Sequence, residues 1–315
     1  MTEGTQLIRG LEGVVAAETK LCDLDGANGR LAYGGYDIAD LAKNATLEEV
    51  CYLLWKGELP TRGQYDELVI SLVAAREIPR QVVDMLKLTP TSADPNRPFQ
   101  SAIAMLGAFD PDADDNSSAG NHRKAIRLTA QLSTVTCAIH RVRQGQDPIA
   151  PAPDLTHAAN FLYMLTGKRH GAAAVKAFDA SLTLYAEHEL NASTFTTRCI
   201  TSTNSDMHSA VAGGHGALKG PLHGGAGEAV MRTLMEIGEV ANVDAFAEKA
   251  LAEKRRLMGF GHRVYTAGDP RAAILKGMAE EACRQSGQFK WYEMAVKLNE
   301  RINAAKKLIP NVDFY

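Results

Sequence analysis

Paired cysteines, basic blocks, long apolar runs and strand signals are all scarce in this chain of 315 residues. Its five cysteines, Cys22, Cys51, Cys137, Cys199 and Cys283, are odd in number and widely scattered, with no C-x-x-C pair. That pattern argues against a disulfide framework and for reduced, mostly buried small hydrophobes. Lysine and arginine total 34 against 37 acidic residues, a net charge of −3, and no long basic block occurs. The electrostatic footprint that a phosphate backbone demands is missing, so nucleic acid is disfavoured as a partner. No uninterrupted apolar run approaches the roughly 20 residues of a membrane-spanning helix. The N-terminal MTEGTQLIRGLEG has neither an apolar signal core nor an Arg-rich amphipathic pattern. A cytoplasmic protein that does not engage membranes is the expectation. With 45% hydrophobic and 23% charged residues the chain has globular proportions, and it is long enough for one large domain or two ordinary ones.

Strand-type residues gather only in 14–36, around the turn DGANG, which reads as a small hairpin. Helical patterns follow almost without interruption. Thr46 with Glu49, and Thr61 with Gln64, are capping-box pairs that open successive helices. Over 121–144, Leu128, Leu132, Val135, Ile139 and Val142 recur at spacings of four, three, four and three, one apolar stripe. Val175, Phe178, Leu182 and Tyr185 form a second stripe, and Val230, Leu234 and Ile237 a third; 243–257, 270–286 and 290–307 are polar-faced helices. DPDADDNSSAGN (110–121) is a surface loop. The fold is therefore mainly α. Composition marks no clear boundary, and the break worth suspecting lies after Asp206, where a glycine-rich segment would let two helical bodies move.

Chemistry concentrates in HGALKGPLHGGAGEAV (215–230), with two histidines, a lysine and five glycines. A phosphate loop would need G-x-x-x-x-G-K-[ST], but Lys219 is followed by Gly220 and Pro221, and the dinucleotide pattern is missed as well. His208, His215 and His223 are seven and eight apart, without the i, i+4 pair or neighbouring carboxylate of a metal site. His122, His140, His157 and His170 sit where ordinary histidines are common. Pro221 closes one helix, Gly224 and Gly225 allow backbone geometry that a Cβ would forbid, and a new helix starts near Ala226. His223 then stands at a helix entrance, where the positive terminus favours a neutral imidazole able to donate a hydrogen bond. The plainer reading of HGGAG is a tight αα turn, with His215 as structural support. A second such segment, MGFGHRVYTAGDPRA (258–272), places His262 after glycines and Arg271 behind an Asp269 N-cap and an N1 proline. Arg271 is either a carboxylate clamp or a solvated first-turn arginine.

Taken in order, GPLHGGAGEAV, GFGHRVY with DPRA, PNVDFY, EHELNASTFTTR and the N-terminal GLEGV…GRLAYGGYDIADLA resemble the citrate synthase family over essentially the whole chain. The resemblance implies a multi-helix fold with a large and a small helical domain and a small N-terminal β-hairpin. We divide it as 1–210 and 211–315. It also implies Claisen-type condensation of acetyl-CoA with oxaloacetate, followed by thioester hydrolysis to citrate and CoA. In that chemistry His223 would hydrogen-bond the thioester carbonyl, Asp313 would take a methyl proton, and His262 would polarise and protonate the acceptor ketone. His188 and Arg271 would bind the acceptor. Arg256, Leu257, Met258, Gly259 and Phe260 would face the adenine of CoA, with Lys306 and Asn311 as further CoA contacts. The family implies a homodimer or higher homo-oligomer and neither metal nor prosthetic cofactor. Propionyl-CoA in place of acetyl-CoA, as in 2-methylcitrate synthase, is an open alternative, as is a non-catalytic assembly role. Relatives of this kind continue beyond NVDFY. The apolar aromatic pair at its end is expected to dangle, Asp313 to be poorly placed, and the sequence to be C-terminally short.

Overall fold

A computed structural model describes Val15 and residues 17–315. The N-terminal MTEGTQLIRGLEG and the GLEGV motif lie outside the described residues. As expected, the protein is mainly α: among the described residues one three-stranded sheet is followed by fourteen α-helices.

Strands β1 (Cys22–Asp25) and β2 (Arg30–Tyr33) pair antiparallel from Cys22↔Tyr33 to Asp25↔Arg30, and the two-residue β3 (Tyr36–Asp37) extends the sheet. The DGANG turn is closed by Asp25, whose carboxylate accepts from the Asn28 backbone at 3.0 Å and from its carboxamide at 2.7 Å. Helices α1 (Ile38–Asn44), α2 (Leu47–Lys56) and α3 (Arg62–Ala74) come next. Both predicted capping boxes are present, Thr46/Glu49 on α2 and Thr61/Gln64 on α3. Helices α4 (Arg80–Leu88) and α5 (Asn96–Gly107) pack with the 26-residue α6 (Ser118–Arg143), burying Val82, Leu106, Val135 and Ile139 in one cluster. The acidic loop ahead of α6 folds back on it: Asp110 and Asp112 both accept from Arg127 Nη2 at 2.6 Å.

Helices α7 (His157–Thr166), α8 (Ala172–Leu184), α9 (Ala192–Thr201) and α10 (Met207–Leu218) lead to the site. The expected stripe on α8 is rotated. Its buried face is Asp179, Ala180, Thr183 and Leu184, whereas Val175, Phe178 and Leu182 are half-buried and Tyr185 is exposed. The inward Asp179 accepts from the Leu47 backbone at the start of α2, a tertiary cap with no helical period. Nor is the glycine-rich segment after Asp206 a loose link: it is helix α10, and the 210/211 division falls inside it. A Cβ on Gly213 would lie 2.1 Å from Ile200 Cδ1 and one on Gly214 2.1 Å from Thr197 Oγ1, so these glycines let α9 and α10 pack closely.

Helices α11 (Ala226–Ile237) and α12 (Val243–Ala252) are joined through a 3₁₀ turn, and α13 (Pro270–Gln285) and α14 (Phe289–Lys306) complete the chain. Helix α12 stops five residues short of the predicted 257, with Lys254 at φ 53. The predicted stripe Val230, Leu234 and Ile237 packs against Met294, Leu298 and Ile302. Contrary to expectation, the last residues are docked: Val312 (7% exposed) joins the core of the hairpin, α1 and α8, and Phe314 (3%) joins that of α11, α12 and α14. Tyr315 packs against both, so Asp313 is carried between two anchored neighbours. The cysteines are all free, but only Cys137 is buried; Cys22, Cys51 and Cys283 are half-buried and Cys199 is exposed. No helix among the described residues is long and apolar enough to cross a membrane.

Candidate active site

One cleft of about 1490 Å³ gathers His188, His223, His262, Arg271 and Asp313, together with Arg256, Leu257, Met258, Gly259, Phe260 and Asn311. These residues come from distant parts of the chain, and the local backbone explains how each arrives.

Helix α10 ends at Leu218, and the chain turns tightly before α11. The Gly224 N–H donates to Leu218 O at 2.8 Å, and a Cβ on Gly224 would stand 2.8 Å from that oxygen and 2.7 Å from Leu218 Cδ1. Only glycine fits that approach. The segment is therefore both a tight αα turn and the device that sets His223 in the cleft. His223 Nε2 lies 3.0 Å from Ser193 Oγ, which in turn lies 2.6 Å from Asn191 Oδ1. Asn191 is the N-cap of α9, its Oδ1 also accepting from the Thr194 backbone at 3.0 Å. The single Ser193 proton thus has two acceptors, and its direction decides which His223 nitrogen carries hydrogen. Burial holds the His223 pKa below the usual histidine range, with the Asp313 charge acting in the opposite sense.

His262 is fixed differently. Its Nδ1 accepts from the backbone N–H groups of Val264 at 3.0 Å and Tyr265 at 3.2 Å. Nδ1 is then without a proton, and the neutral ring carries hydrogen on Nε2 as a donor. Burial lowers the pKa further against the pull of Asp269. The loop supplying those N–H groups rests on the hairpin turn: Thr266 N donates to Gly26 O at 3.0 Å, and a Cβ on Gly26 would meet Val264 O at 2.2 Å. His188 packs edge-on to His262 with ring centroids 5.3 Å apart, and its Nε2 is 3.1 Å from the Tyr265 hydroxyl. Burial, the Arg271 charge and His262 push its pKa down to about 4.

Arg271 is neither solvated nor free. Its side chain is 6% exposed and its partner Asp269 is fully buried. Asp269 Oδ1 accepts from Arg271 N and Nε, both at 3.0 Å; Oδ2 accepts from Arg271 Nη2 and from the Val312 backbone, both at 2.9 Å. One carboxylate therefore ties the arginine to the residue beside Asp313. Among the described residues Arg271 Nη1 has no hydrogen-bond partner, leaving one edge of the guanidinium for a ligand. Burial raises the Asp313 pKa, while its hydrogen bond from Tyr185 and the Arg271 charge hold it down.

The segment 259–261 lies along 309–311: Gly261 N donates to Ile309 O at 2.8 Å, Asn311 N to Gly259 O at 2.9 Å and Asn311 Nδ2 to Gly261 O at 2.9 Å. Asn311 Oδ1 accepts from Asp313 N at 3.0 Å, so both ends of its carboxamide shape the loop. Asn311 thus shapes the loop as well as lining the cleft. Lys306 is outside the main cleft. It lines a second cavity of about 280 Å³ that shares Arg256, Leu257 and Phe260 with the first. His208 is buried against Asp110 at 3.5 Å, and His215, which also lines the cleft, lies beside Phe99 and 3.3 Å from Asn96 O. Among the described residues no group of three or more His, Cys, Asp or Glu side chains is placed to hold a metal.

Sequence reasoning passed over Ser193, Asn191, Tyr185, Tyr265 and the second role of Asp269. Asn191 and Ser193 had a local signal in ELNASTF, an N-cap with a hydroxyl two residues on. Tyr185 and Tyr265 had none.

The profile described as citrate synthase, C-terminal domain, matches residues 10–315. Citrate synthase 2 of Bacillus subtilis is 44% identical over 98% of this chain and 82% of its own length. A 2-methylcitrate synthase of Mycobacterium tuberculosis is 41% identical over 99% of this chain and 79% of its own. Among solved structures, the Thermoplasma acidophilum citrate synthase in ternary complex with carboxymethyl coenzyme A and oxaloacetate superposes with a TM-score of 0.91. It is 34% identical, covering 98% of this chain and 83% of that one. With the fold, the motifs and the relatives in agreement over nearly its full length, the chain belongs to the citrate synthase family.

Proposed function

We propose that this protein condenses acetyl-CoA with oxaloacetate and hydrolyses the resulting thioester to citrate and CoA. The observation that carries the reading is the convergence of Asp313, His223 and His262 on one cleft, with both histidines held neutral by burial. A thioester methyl is a weak acid, so base and carbonyl donor must act together on a positioned substrate. Asp313 takes a methyl proton while His223 donates to the thioester oxygen, giving the enol or enolate. The donor form of His223 is the tautomer with Ser193 turned toward Nε2 and the proton on Nδ1. His262 Nε2–H polarises the oxaloacetate ketone and delivers its proton to the new alkoxide as the carbon–carbon bond forms. Water then cleaves the carbon–sulfur bond, and the CoA thiol leaves. His188 and the open edge of Arg271 receive acceptor oxygens. Arg256, Leu257, Phe260 and Lys306 offer an apolar platform beside cationic groups, the chemistry an adenine with phosphates requires.

The test is thiol release from acetyl-CoA with oxaloacetate, repeated with propionyl-CoA because a 2-methylcitrate synthase is among the relatives. One methylene is worth about 1–3 kcal/mol, enough for the ratio of kcat/KM values to separate the two readings. Turnover of acetyl-CoA that falls at least a hundredfold in His223→Ala, His262→Ala and Asp313→Asn is the expected result. A chain that releases no thiol and binds neither CoA nor oxaloacetate by calorimetry has a non-catalytic role instead. The same reading carries a homodimer or larger homo-oligomer, to be checked by light scattering, and a cytoplasmic location.

A further inference from the structure

We infer that Tyr185 is a positioning residue for Asp313, orienting the base through one phenolic proton shared between the carboxylate and the Val312 carbonyl. This deepens the reading of Asp313 as the base and rests on it.

Tyr185 stands at the C-terminal end of α8, three residues before His188. Its hydroxyl is 3.1 Å from Asp313 Oδ1 and 3.1 Å from Val312 O. A phenol has one proton to donate, so the two acceptors compete for it. An ionised carboxylate is the stronger acceptor, so the phenol donates its hydrogen bond to Asp313 while the base is ready to act. Once Asp313 has taken the substrate proton that advantage ends. The phenolic proton then turns to Val312 O, and the phenolic oxygen can accept from the protonated carboxyl. The hydroxyl follows the charge of the base with no movement of the chain.

The competing carbonyl does not wander. Val312 N is held by buried Asp269, and Asp313 N by Asn311 Oδ1, so the peptide between them is fixed at both ends. The groups facing Asp313 are Tyr185 from the end of α8, Asp269 and Arg271 from the start of α13, and His223 from the turn before α11. Of these, Tyr185 alone makes a direct side-chain hydrogen bond to the carboxylate among the described residues. The tyrosine is not a core residue: it is 52% exposed, so its place is explained by what its hydroxyl reaches rather than by packing. Among the forces on Asp313, burial raises the pKa and the Tyr185 bond is the largest that lowers it.

The experiment is Tyr185→Phe, which keeps the ring. In protein labelled with ¹³C at aspartate carboxyls, the Asp313 resonance, assigned by its loss in Asp313→Asn, is followed through a pH titration. This readout does not depend on turnover. The Tyr185→Phe midpoint is expected to rise by about one pH unit, the size of one hydrogen bond to a charged group. The acid limb of kcat/KM for acetyl-CoA should rise with it, while the thermal midpoint and the KM for oxaloacetate stay near wild type. An unchanged Asp313 midpoint overturns the inference, as does a Tyr185→Phe variant whose losses are confined to thermal stability. The base reading fails separately: Asp313→Asn that still exchanges acetyl-CoA methyl protons with deuterated water at the wild-type rate removes it, whatever Tyr185 does.

Discussion

Asp269→Asn is the substitution on which the site places the sharpest demand. The carboxylate is fully buried and takes four donors: Arg271 N and Nε on Oδ1, and Arg271 Nη2 and Val312 N on Oδ2. Asparagine keeps the shape and has only one oxygen. Whichever way the amide lies, its NH₂ confronts two N–H groups that have nowhere else to turn, and the guanidinium loses its counter-charge. Two orphaned donors at about 1–3 kcal/mol each and a broken buried pair at about 3–5 kcal/mol are two views of one loss, not a sum. A destabilisation of about 3–4 kcal/mol is expected, reduced from the upper figure because Arg271 borders the cleft and water can reach it. Urea denaturation at neutral pH measures this directly. Oxaloacetate titration calorimetry should show at least tenfold weaker binding, because Arg271 is no longer aimed. The companion is Asp269→Asn with Arg271→Met, in which no buried charge is left unpaired. It should recover part of the stability without recovering oxaloacetate binding. If Asp269→Asn loses less than 1 kcal/mol and binds oxaloacetate as wild type does, the argument that this carboxylate organises the site is wrong.

Three further outcomes follow from the same geometry. Gly26→Ala puts a methyl 2.2 Å from Val264 O, a backbone atom that cannot give, so the loop holding His262 must shift. About 1–3 kcal/mol of stability and at least tenfold in kcat should go with an unchanged far-ultraviolet spectrum; wild-type kcat would show that the hairpin does not brace His262. Ser193→Ala removes the hydroxyl that chooses between the His223 tautomers, and methyl-proton exchange of acetyl-CoA should slow about tenfold, one hydrogen bond's worth. Exchange at the wild-type rate would mean that Ser193 does not govern His223. His188, with its pKa lowered to about 4 in the fold, is neutral there and charged more readily in the unfolded chain. Its contribution is intact above pH 6.5 and is lost as pH falls from 6.5 toward 4. Wild type should therefore lose more stability across that window than His188→Gln, and parallel curves would contradict the assignment.

What was legible in the sequence was whatever is local. Capping boxes at Thr46 and Thr61, the stripe on α6, the hairpin turn and the glycine step before α11 each depend on residues within a few positions of one another. Periodicity failed on α8 because its inward face is mixed, and Asp179 is buried there to cap a helix 132 residues earlier in the chain. The same distance limit explains part of what was missed in the site. Asp269 was read correctly as an N-cap, but its bond to Val312 spans 43 residues and its bond to the Arg271 guanidinium turns a first-turn arginine into a buried one. The family motifs suggested the roles proposed for His223, His262 and Asp313; they contain Ser193, Val264, Tyr265 and Asp269 but mark none of them as a group that sets a proton. Those groups are Ser193 for His223, the Val264 and Tyr265 peptides for His262, and Tyr185 with Asp269 for Asp313. A nucleophile or base is recognisable by type because few side chains can do the chemistry. A positioning group is any donor or acceptor that the fold brings within hydrogen-bonding distance, and most residue types qualify. The residues hardest to read in this chain are therefore the ones that decide whether three recognisable side chains act as a unit.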